Sequence, residues 1–420
     1  MLFFQGQRSL LPSLALTHCK SINTNNEQVY GKQALNTSTP LSPGAHHLIT
    51  RLQASTTTSI PLNLAVWGGT NTLAQALQHI TTINAPSQAS LLRSHLRVYA
   101  ISDQDDTGAW IRATYPDLFY VVSRHAWRAY ALAAWTGISK PGISAAANDS
   151  VIGGEWLERN IQQKGQLGRV YPDTENIMEG DSPSLLYFIP NGLGSPEWPG
   201  WGSWGGRYAS VSDAGGGAER QYGDTLDTVY YQTNDNSSSS NVKEETSNQA
   251  TIWRWRSAFQ NDFAARMQWT LSPEYTTARH PPIIDINGNS GLEPFMIHVK
   301  PNQTLAFDAS GTVDPDAHYH NHNQNYALQF EWFQYQEASY LPAPPAPEDE
   351  RLVIQPLQQG KVLGFNEQGF RDVVRAQKVR VRVPEKQTVS VIGGYHLVLQ
   401  VSTVDGEFPI TRYKRVVLVP

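Results

Sequence analysis

The stretch PLNLAVWGGTNTLAQALQHI (61–80) decides the fold class of the first part of the chain. It reads as a short apolar strand, a glycine-rich turn and a helix with Leu73, Leu77 and Ile80 on one face. The alternation continues in three further segments, LRVYAIS (96–102), DDTGAWIRATY (105–115) and LFYVVS (118–123). Strands that alternate with helices predict an α/β domain with a mostly parallel sheet, which binds ligands where its strands end.

From residue 281 onward the period of the pattern changes to two. Apolar and polar residues alternate in QTLAFDA (303–309), ALQFEWFQY (327–335), KVRVRV (378–383), YHLVLQVS (395–402) and YKRVVLV (413–419). Turn-rich stretches separate these segments, so the C-terminal part is expected to be an all-β sandwich.

These two patterns predict the organisation of the chain. Residues 1–60 are rich in polar turn-forming residues and predict a poorly ordered lead-in. Residues 61–280 form the α/β domain, and residues 281–420 form the sandwich. Within the first domain the polar stretch 233–249 predicts a surface loop, and WRWRSAFQNDFAARMQW (253–269) predicts a helical segment.

Composition excludes several classes of protein. The formal net charge is −5 with no basic run, which argues against a nucleic-acid polymer as partner. No run of about 18 apolar residues exists, so no membrane span is expected. The single cysteine, Cys19, excludes an internal disulfide framework. A polysaccharide, or a small glycoside or nucleoside, is the expected partner, while the sequence gives no indication of the oligomeric state.

Asn-x-Ser/Thr sequons are compatible with an extracellular protein. They begin at Asn36, Asn148, Asn236 and Asn302. The N-terminal residues MLFFQGQRSLLPSLALTHCKS do not have the pattern of a signal peptide, because Gln, Gly and Arg interrupt the apolar stretch.

Polar residues after the predicted strands are candidates for a ligand site. Thr70 and Asn71 follow the Gly-Gly turn, Asp103, Asp105 and Asp106 follow the next strand, and Glu179 and Asp181 precede a helix-starting proline. Carboxylates at a strand end can bind a hard cation or sugar hydroxyls. The alternative for each of these groups is capping of the helix that follows, which spacing alone favours for Thr70 and Asn71.

A tryptophan-rich segment is the second candidate. In SPEWPGWGSWGGRY (195–208) the indoles of Trp198, Trp201 and Trp204 recur every three residues among glycines and prolines. Rings exposed on a rigid loop would stack on sugars, and the alternative is that they pack a lid onto the domain. The histidine run 318–325 is interpreted as a solvent-exposed loop rather than a metal site.

Several of these segments together resemble a family of cellulose-binding proteins that carry a nucleoside-hydrolase-like domain and an immunoglobulin-like tail. The resemblance rests on WGGTNTLAQAL, LRVYAISDQDDTGAWI, PDLFYVV, EGDSPSLLYFIPNGLGSPEWPGWGSWGGRY and DASGTVDPDA, in that order. It covers roughly residues 60–420 and implies that the sandwich is immunoglobulin-like.

The resemblance also implies a calcium ion. In nucleoside hydrolases the segment similar to GGTN supplies a threonine carbonyl to calcium, which corresponds to Thr70, with Asn71 next to it. The calcium-binding Asp before an apolar helix corresponds to Asp181, and Glu179 lies near the usual position of a His. That family opens with a strand ending in an Asp cluster, which residues 1–60 lack. Either the first unit is missing or the site is degenerate, so the metal site is expected to be incomplete and no catalytic base can be named.

Two functions follow as expectations. The first is a secreted, carbohydrate-associated protein that hydrolyses N-glycosyl or glycosidic bonds with calcium. The alternative is a non-catalytic glycan-binding module with a degenerate nucleoside-hydrolase fold. A cytosolic nucleoside-salvage enzyme is disfavoured by the sandwich and by the tryptophan-rich loop.

Overall fold

The computed structural model describes residues 31–125, 129–211, 220–233, 241–317, 327–339, 347–386, 394–404 and 407–420. These residues divide into two compact units. The first unit comprises the described residues within Met1–Trp135, Asp181–Phe188 and Tyr208–Asp224, and the second comprises those within Thr136–Gly180, Ile189–Arg207 and Thr225–Pro420. The histidine run 318–325 lies outside the described residues.

The secondary structure is numbered in chain order. The strands are β1 (Leu62–Val66), β2 (Leu96–Ala100), β3 (Phe119–Val122), β4 (Tyr208–Ser210), β5 (Gln221–Asp224), β6 (Asp227–Gln232), β7 (Val242–Ser247), β8 (Asp285–Ile286), β9 (Asn289–Ser290), β10 (Phe295–His298), β11 (Thr304–Asp308), β12 (Leu328–Gln334), β13 (Val353–Pro356), β14 (Lys361–Phe365), β15 (Arg371–Arg375), β16 (Lys378–Arg382), β17 (Tyr395–Thr403) and β18 (Thr411–Val419). The α-helices are α1 (Pro43–Thr58), α2 (Asn71–Ile83), α3 (Pro86–Ser94), α4 (Thr107–Thr114), α5 (Gly154–Leu157), α6 (Gly165–Gly168), α7 (Pro183–Leu186), α8 (Ala250–Trp253), α9 (Arg256–Gln268) and α10 (Gln336–Ser339). No helix in the described part of the chain is both long and apolar enough to cross a membrane.

The first unit contains a five-stranded sheet in the order β1-β2-β3-β5-β4. The pairs β1–β2, β2–β3 and β3–β5 are parallel, and β4 pairs with β5 in the antiparallel direction. Strand β2 is buried along its whole length, as expected for a central strand covered on both faces. The prediction of an α/β domain with a mostly parallel sheet is confirmed.

Helix α1 corrects the prediction that residues 1–60 are poorly ordered. The Ser42 hydroxyl caps the helix by accepting from the Ala45 amide at 3.2 Å, and Pro43 occupies the first turn. Ala45, Ile49 and Leu52 are buried in the apolar core formed with α2 and the sheet. Apart from the partly buried Leu48, no further apolar residue of α1 packs against this core, so the polar composition hid the helix. Residues 1–30 lie outside the described part.

Two further sheets in the second unit enclose one core. A six-stranded sheet has the order β10-β18-β17-β12-β15-β14, and a three-stranded sheet has the order β11-β16-β13. Alternate residues of both sheets meet in a core that includes Phe307, Trp332, Val381 and Leu399. All pairs are antiparallel except β10–β18, which is parallel. The predicted sandwich architecture is confirmed.

The outer face of the six-stranded sheet is also buried along its central strands β12, β17 and β18. Tyr413 points away from the sandwich core, where the Trp204 indole donates to its hydroxyl at 3.2 Å and the Trp255 ring lies 5.7 Å away. Trp255 also contacts the rings of Tyr335 and Phe370. Segments that precede residue 281 in the chain therefore cover this sheet within the second unit. The boundary at residue 280 stays a prediction.

The polar stretch 233–249 is not a loop throughout. Strand β7 pairs along its length with β6, and the Thr228 and Thr246 hydroxyls hydrogen-bond at 2.8 Å. Most of β7 is exposed, so backbone pairing rather than apolar burial holds it, and the hydrophobic pattern gave no sign of a strand. Residues 234–240 lie outside the described part. The helical prediction for residues 253–269 is confirmed by α8 and α9.

Candidate functional site

The carboxyl ends of β1, β2 and β3 meet at one edge of the parallel sheet in the first unit. The segments 67–71, 101–106 and 123–125 leave the sheet there. Ligands of open α/β sheets bind at such an edge because loops diverge from it and helices begin beside it. We call it the carboxyl edge. Six of the ten predicted site residues belong to this unit, namely Thr70, Asn71, Asp103, Asp105, Asp106 and Asp181.

Asp105 joins the beginnings of two helices. One carboxylate oxygen accepts from the Asn71 amide at 3.2 Å, at the start of α2. The other accepts from the Thr107 amide at 2.9 Å and the Thr107 hydroxyl at 2.5 Å, at the start of α4. A negative charge at two helix N-termini is stabilising because free amides converge there. Asp105 therefore caps two helices, which was the alternative to ligand binding.

Asp103 and Asp106 are also bound by the protein. The Arg112 guanidinium donates two hydrogen bonds to Asp103, at 2.7 and 2.6 Å. Although burial opposes it, the Asp103 carboxylate raises the pKa of Arg112 above its ordinary value. Asp106 accepts from the Lys32 amide at 2.8 Å. The three acids therefore bind different partners and do not converge on a common ligand position.

Glycines give these carboxylates their positions. A Cβ on Gly69 would lie 2.3 Å from an Asp105 oxygen, one on Gly108 would lie 2.2 Å from Asp103, and one on Gly31 would lie 2.2 Å from Asp106. Each acid thus fills the space left by an absent side chain in another part of the first unit. Gly69, the second glycine of the GGTN turn, leaves room for the Asp105 carboxylate.

The donors available for calcium are few. The Thr70 carbonyl accepts from the Ala74 amide at 2.9 Å, and its hydroxyl lies 2.8 Å from that of Thr107. Asp181 is half-buried, and burial raises the pKa of its carboxyl. Within the described ranges no three His, Cys, Asp or Glu residues are grouped so as to hold a metal. Calcium prefers six to eight oxygens, so the described residues do not fit a calcium ion.

A chain of polar side chains at the carboxyl edge was not identified from the sequence. The Ser102 hydroxyl lies 2.8 Å from Nε2 of His125 and accepts from the Trp135 indole at 3.0 Å. After the end of β1, the Trp67 indole donates to the Ser184 hydroxyl, which in turn donates to the Asp181 carbonyl at 2.9 Å. Ser102 and His125 lie just beyond β2 and β3. Their position directly after predicted strands was the feature of the sequence by which they could have been identified.

Glu179 belongs to the second unit. Its carboxylate accepts from the Tyr171 hydroxyl, and its backbone is bound twice by Ser139, whose hydroxyl lies 2.8 Å from the Glu179 amide and 2.5 Å from its carbonyl. These bonds anchor the segment before Asp181.

The three tryptophans differ in exposure, which corrects the prediction of a three-ring platform. Trp204 is fully buried and Trp201 is 7% exposed, whereas Trp198 is 54% exposed. The Trp198 and Trp201 rings are stacked, with centroids 5.6 Å apart and planes 10° apart. Trp204 and Trp201 therefore pack against the protein, as the alternative interpretation of a lid expects. Only Trp198 has a face available to a ligand.

Buried polar groups lie behind this ring pair. The Arg415 guanidinium donates to the Trp201 carbonyl at 2.9 Å, to the Leu193 carbonyl at 2.7 Å and to His396 Nδ1 at 3.0 Å. Burial lowers the pKa of Arg415 to about 9 and lowers that of His396 well below its ordinary value. The bonds to Arg415 fix the backbone under Trp198.

Family models match both parts of the chain. Residues 15–208 match the model described as cellulose-binding Sde182, nucleoside hydrolase-like domain. Residues 304–420 match the model of the C-terminal domain of cellulose-binding protein Sde0182. No curated protein matches the chain.

A solved structure from Saccharophagus degradans has a similar fold. It is described as a nucleoside hydrolase-related hypothetical protein associated with carbohydrate metabolism. The identity is 24%, the TM-score is 0.64, and the match covers 93% of this chain and 78% of that one.

A second structure, AggA, the major subunit of aggregative adherence fimbriae type I from Escherichia coli, matches with 13% identity over 34% of this chain and 98% of that one. Its TM-score of 0.17 carries no structural argument. The Saccharophagus degradans structure and the first family model confirm the predicted nucleoside-hydrolase-like fold of the first part.

Proposed function

We propose that this chain, which two domain models of the Sde182 family of cellulose-binding proteins match in order, binds a β-glucan polysaccharide through Trp198. Its expected location is extracellular, where such a polymer is found. The observation that carries the proposal is the exposed Trp198 ring stacked on a buried second ring.

The geometry of this ring suits a sugar. One face of Trp198 is covered by Trp201, so the opposite face is the one left for a ligand. Pro199 begins a short 3-10 helix between the two rings, and the Trp201 amide donates to the Trp198 carbonyl at 3.0 Å. A ring held in one orientation loses little entropy when the C–H face of a pyranose stacks on it.

Binding of the full chain to insoluble cellulose tests the proposal. Trp198→Ala is expected to weaken binding roughly 2- to 12-fold, the equivalent of about 0.5–1.5 kcal/mol for one aromatic contact. Trp198→Tyr keeps a flat ring and should retain most of the affinity. Tyr275→Ala removes another exposed ring of the second unit and serves as the matched control. Unchanged cellulose binding by Trp198→Ala would overturn the proposal.

Hydrolysis of a glycosyl bond at the carboxyl edge is the second candidate function. It is favoured by Asp181, because burial raises the pKa of this carboxyl and so keeps more of it protonated, as a general acid requires. The described residues do not fit calcium, so no step is assigned to a metal.

Turnover assays test this second candidate. p-Nitrophenyl glycosides and nucleosides would be incubated with the chain, with calcium or with a chelator. If hydrolysis is observed, Asp181→Asn should abolish it, and Asp106→Asn, which alters a carboxylate bound to Lys32, should have little effect. Turnover that is indifferent to Asp181→Asn would remove Asp181 from the reaction.

A further inference from the structure

The two sheets of the sandwich differ in what covers their outer faces. The outer face of the six-stranded sheet is buried along its central strands β12, β17 and β18. On the three-stranded sheet, Val379 and Val381 of the central strand β16 enter the core, and Arg380 and Arg382 between and after them are exposed on the opposite face. The neighbouring residues on that face, Thr304, Ala306 and Gln355, are exposed too. We call this surface the arginine face.

The residues directly opposite both arginines on the neighbouring strands are uncharged. Arg380 lies opposite Ala306 on β11 and Gln355 on β13, and Arg382 lies opposite Thr304 and Val353. Lys378, at the start of the same strand, is different because Asp308 lies opposite it and the two side chains bond at 2.8 Å. That bond from Lys378 lowers the pKa of Asp308 to about 2. Among the described residues, neither Arg380 nor Arg382 has an ion pair.

We propose that the arginine face is a docking surface for an acidic polysaccharide of the polyuronate class. Charge complementarity carries this proposal, because two exposed guanidinium groups without an ion pair among the described residues project from one strand. Alternate residues of a strand are about 7 Å apart, so two carboxylates along one glycan chain can each receive a guanidinium fork. Small neighbours such as Ala306 and Thr304 leave a flat path for the chain.

The composition of the arginine face distinguishes it from a nucleic-acid site. Sites for single-stranded nucleic acid typically combine positive charge with aromatic rings on which bases stack, and the residues described on this face include no such ring. Exposed charge pairs are individually weak and are screened by salt over about 10 Å at 0.1 M. A polymer compensates for this weakness by presenting many carboxylates at high local concentration.

Binding of the full chain to polygalacturonate at low and at moderate salt tests the proposal. The double variant Arg380→Gln/Arg382→Gln is expected to bind roughly 2- to 30-fold more weakly at low salt, with a smaller difference at moderate salt. Arg380→Lys/Arg382→Lys keeps the charge but loses the fork, so its affinity should be intermediate. Lys164→Gln/Arg169→Gln makes the same change of charge elsewhere in the second unit and should bind as the parent does.

Three outcomes would overturn the proposal. They are a double variant that binds polygalacturonate as tightly as the parent, a control pair that loses as much, and duplex DNA that binds equally well and loses affinity in parallel. Cellulose binding distinguishes this proposal from the Trp198 site. Arg380→Gln/Arg382→Gln should leave it intact, whereas Trp198→Ala should weaken cellulose binding and leave polygalacturonate binding unchanged.

Discussion

A single buried carboxylate, that of Asp227, holds together a charged network in the second unit. It accepts from Arg207 at 2.7 Å, from Arg254 at 2.9 Å and from the Tyr335 hydroxyl at 2.6 Å. Burial alone would raise the pKa of Asp227, but the two guanidinium groups outweigh it and the pKa is lowered. Glu337, beside Arg254, has a raised pKa because of burial and the Asp227 charge, so its carboxyl stays protonated to a higher pH than usual.

Replacing Asp227 with Asn should strongly destabilise the protein, because two arginines would remain buried with only Glu337 near them. Loss of one partner of a buried ion pair costs about 3–5 kcal/mol, measurable by urea unfolding at pH 7. Asp117→Asn breaks an exposed pair with Arg93 and should cost less than about 1 kcal/mol. Equal effects of the two substitutions would contradict the role given to Asp227.

The same residue predicts a pH dependence. The folded-state pKa of Asp227 is lower than its ordinary value of 3.8, so the stability it contributes is present above that pH. That contribution is lost as the pH falls through the folded-state pKa. The difference in unfolding free energy between the parent and Asp227→Asn should therefore narrow below about pH 4. A difference that stays constant from pH 7 to pH 3 would exclude this assignment.

Residue identity alone did not decide between ligand binding and capping for the acids of the carboxyl edge. Asp103, Asp105 and Asp106 were identified as polar groups after a strand, and that position is correct. The positions of Asp105 and Asp106 depend on space next to glycines that are far away in sequence, Gly69 and Gly31. Local sequence contains no information on such long-range contacts.

At the scale of elements, the turn between β1 and α2 offers two neighbouring glycines with different surroundings. A Cβ on Gly68 would meet nothing within 4 Å, whereas a Cβ on Gly69 would lie 2.3 Å from an Asp105 oxygen. Gly69→Ala should therefore displace the carboxylate that caps α2 and α4 and cost about 1–3 kcal/mol. Gly68→Ala should change stability by less than about 0.5 kcal/mol. Chemical denaturation of both variants checks this.

A double-mutant cycle tests the mechanism behind that difference. Once Asp105→Ala has removed the carboxylate, Gly69→Ala has less to displace, so the two changes should cost less together than the sum of their separate effects. Strict additivity would mean that Gly69 acts independently of Asp105.

Elements with strong hydrophobic periodicity were predicted correctly, and elements held by other forces were not. The five elements predicted between residues 61 and 123 are present in the predicted order, because their apolar residues repeat at the helix and strand periods, while α3 between α2 and β2 was not predicted. Helix α1 places only a few apolar side chains in the core, and β7 is held by pairing with β6. Capping by Ser42 and backbone pairing leave little trace in hydropathy.

At the scale of the whole molecule, neither compact unit is a continuous piece of chain. The chain passes between the units at 135–136, 180–181, 188–189, 207–208 and 224–225. Sequence periodicity locates a change of pattern near residue 280 but cannot show that earlier segments return to cover a later sheet. Trp204 and Trp255 do so on the outer face of the six-stranded sheet.

A fragment of residues 281–420 should therefore keep its inner core but lose the cover of one sheet. The inner core runs from Ile284 to Leu418 and lies entirely within the fragment. On the outer face, Tyr413 would lose Trp204 and Trp255, and Arg415 would lose two of its hydrogen-bond acceptors. Loss of one buried tryptophan side chain costs about 3–5 kcal/mol, a large part of the roughly 5–15 kcal/mol that stabilises a typical domain.

The fragment is expected to retain a β-sheet circular dichroism spectrum, to bind the dye ANS at the uncovered face and to melt well below the full chain. Fragment 225–420 regains Trp255 but not Trp204, so its dye binding and melting temperature should be intermediate. The full-length variant Trp204→Ala also lacks this ring, so its dye binding and melting temperature show the effect of losing Trp204 without any cut in the chain. A fragment 281–420 that binds no dye and melts with the full chain would mean that the inner core alone stabilises the sandwich, because the buried outer face would then contribute nothing measurable.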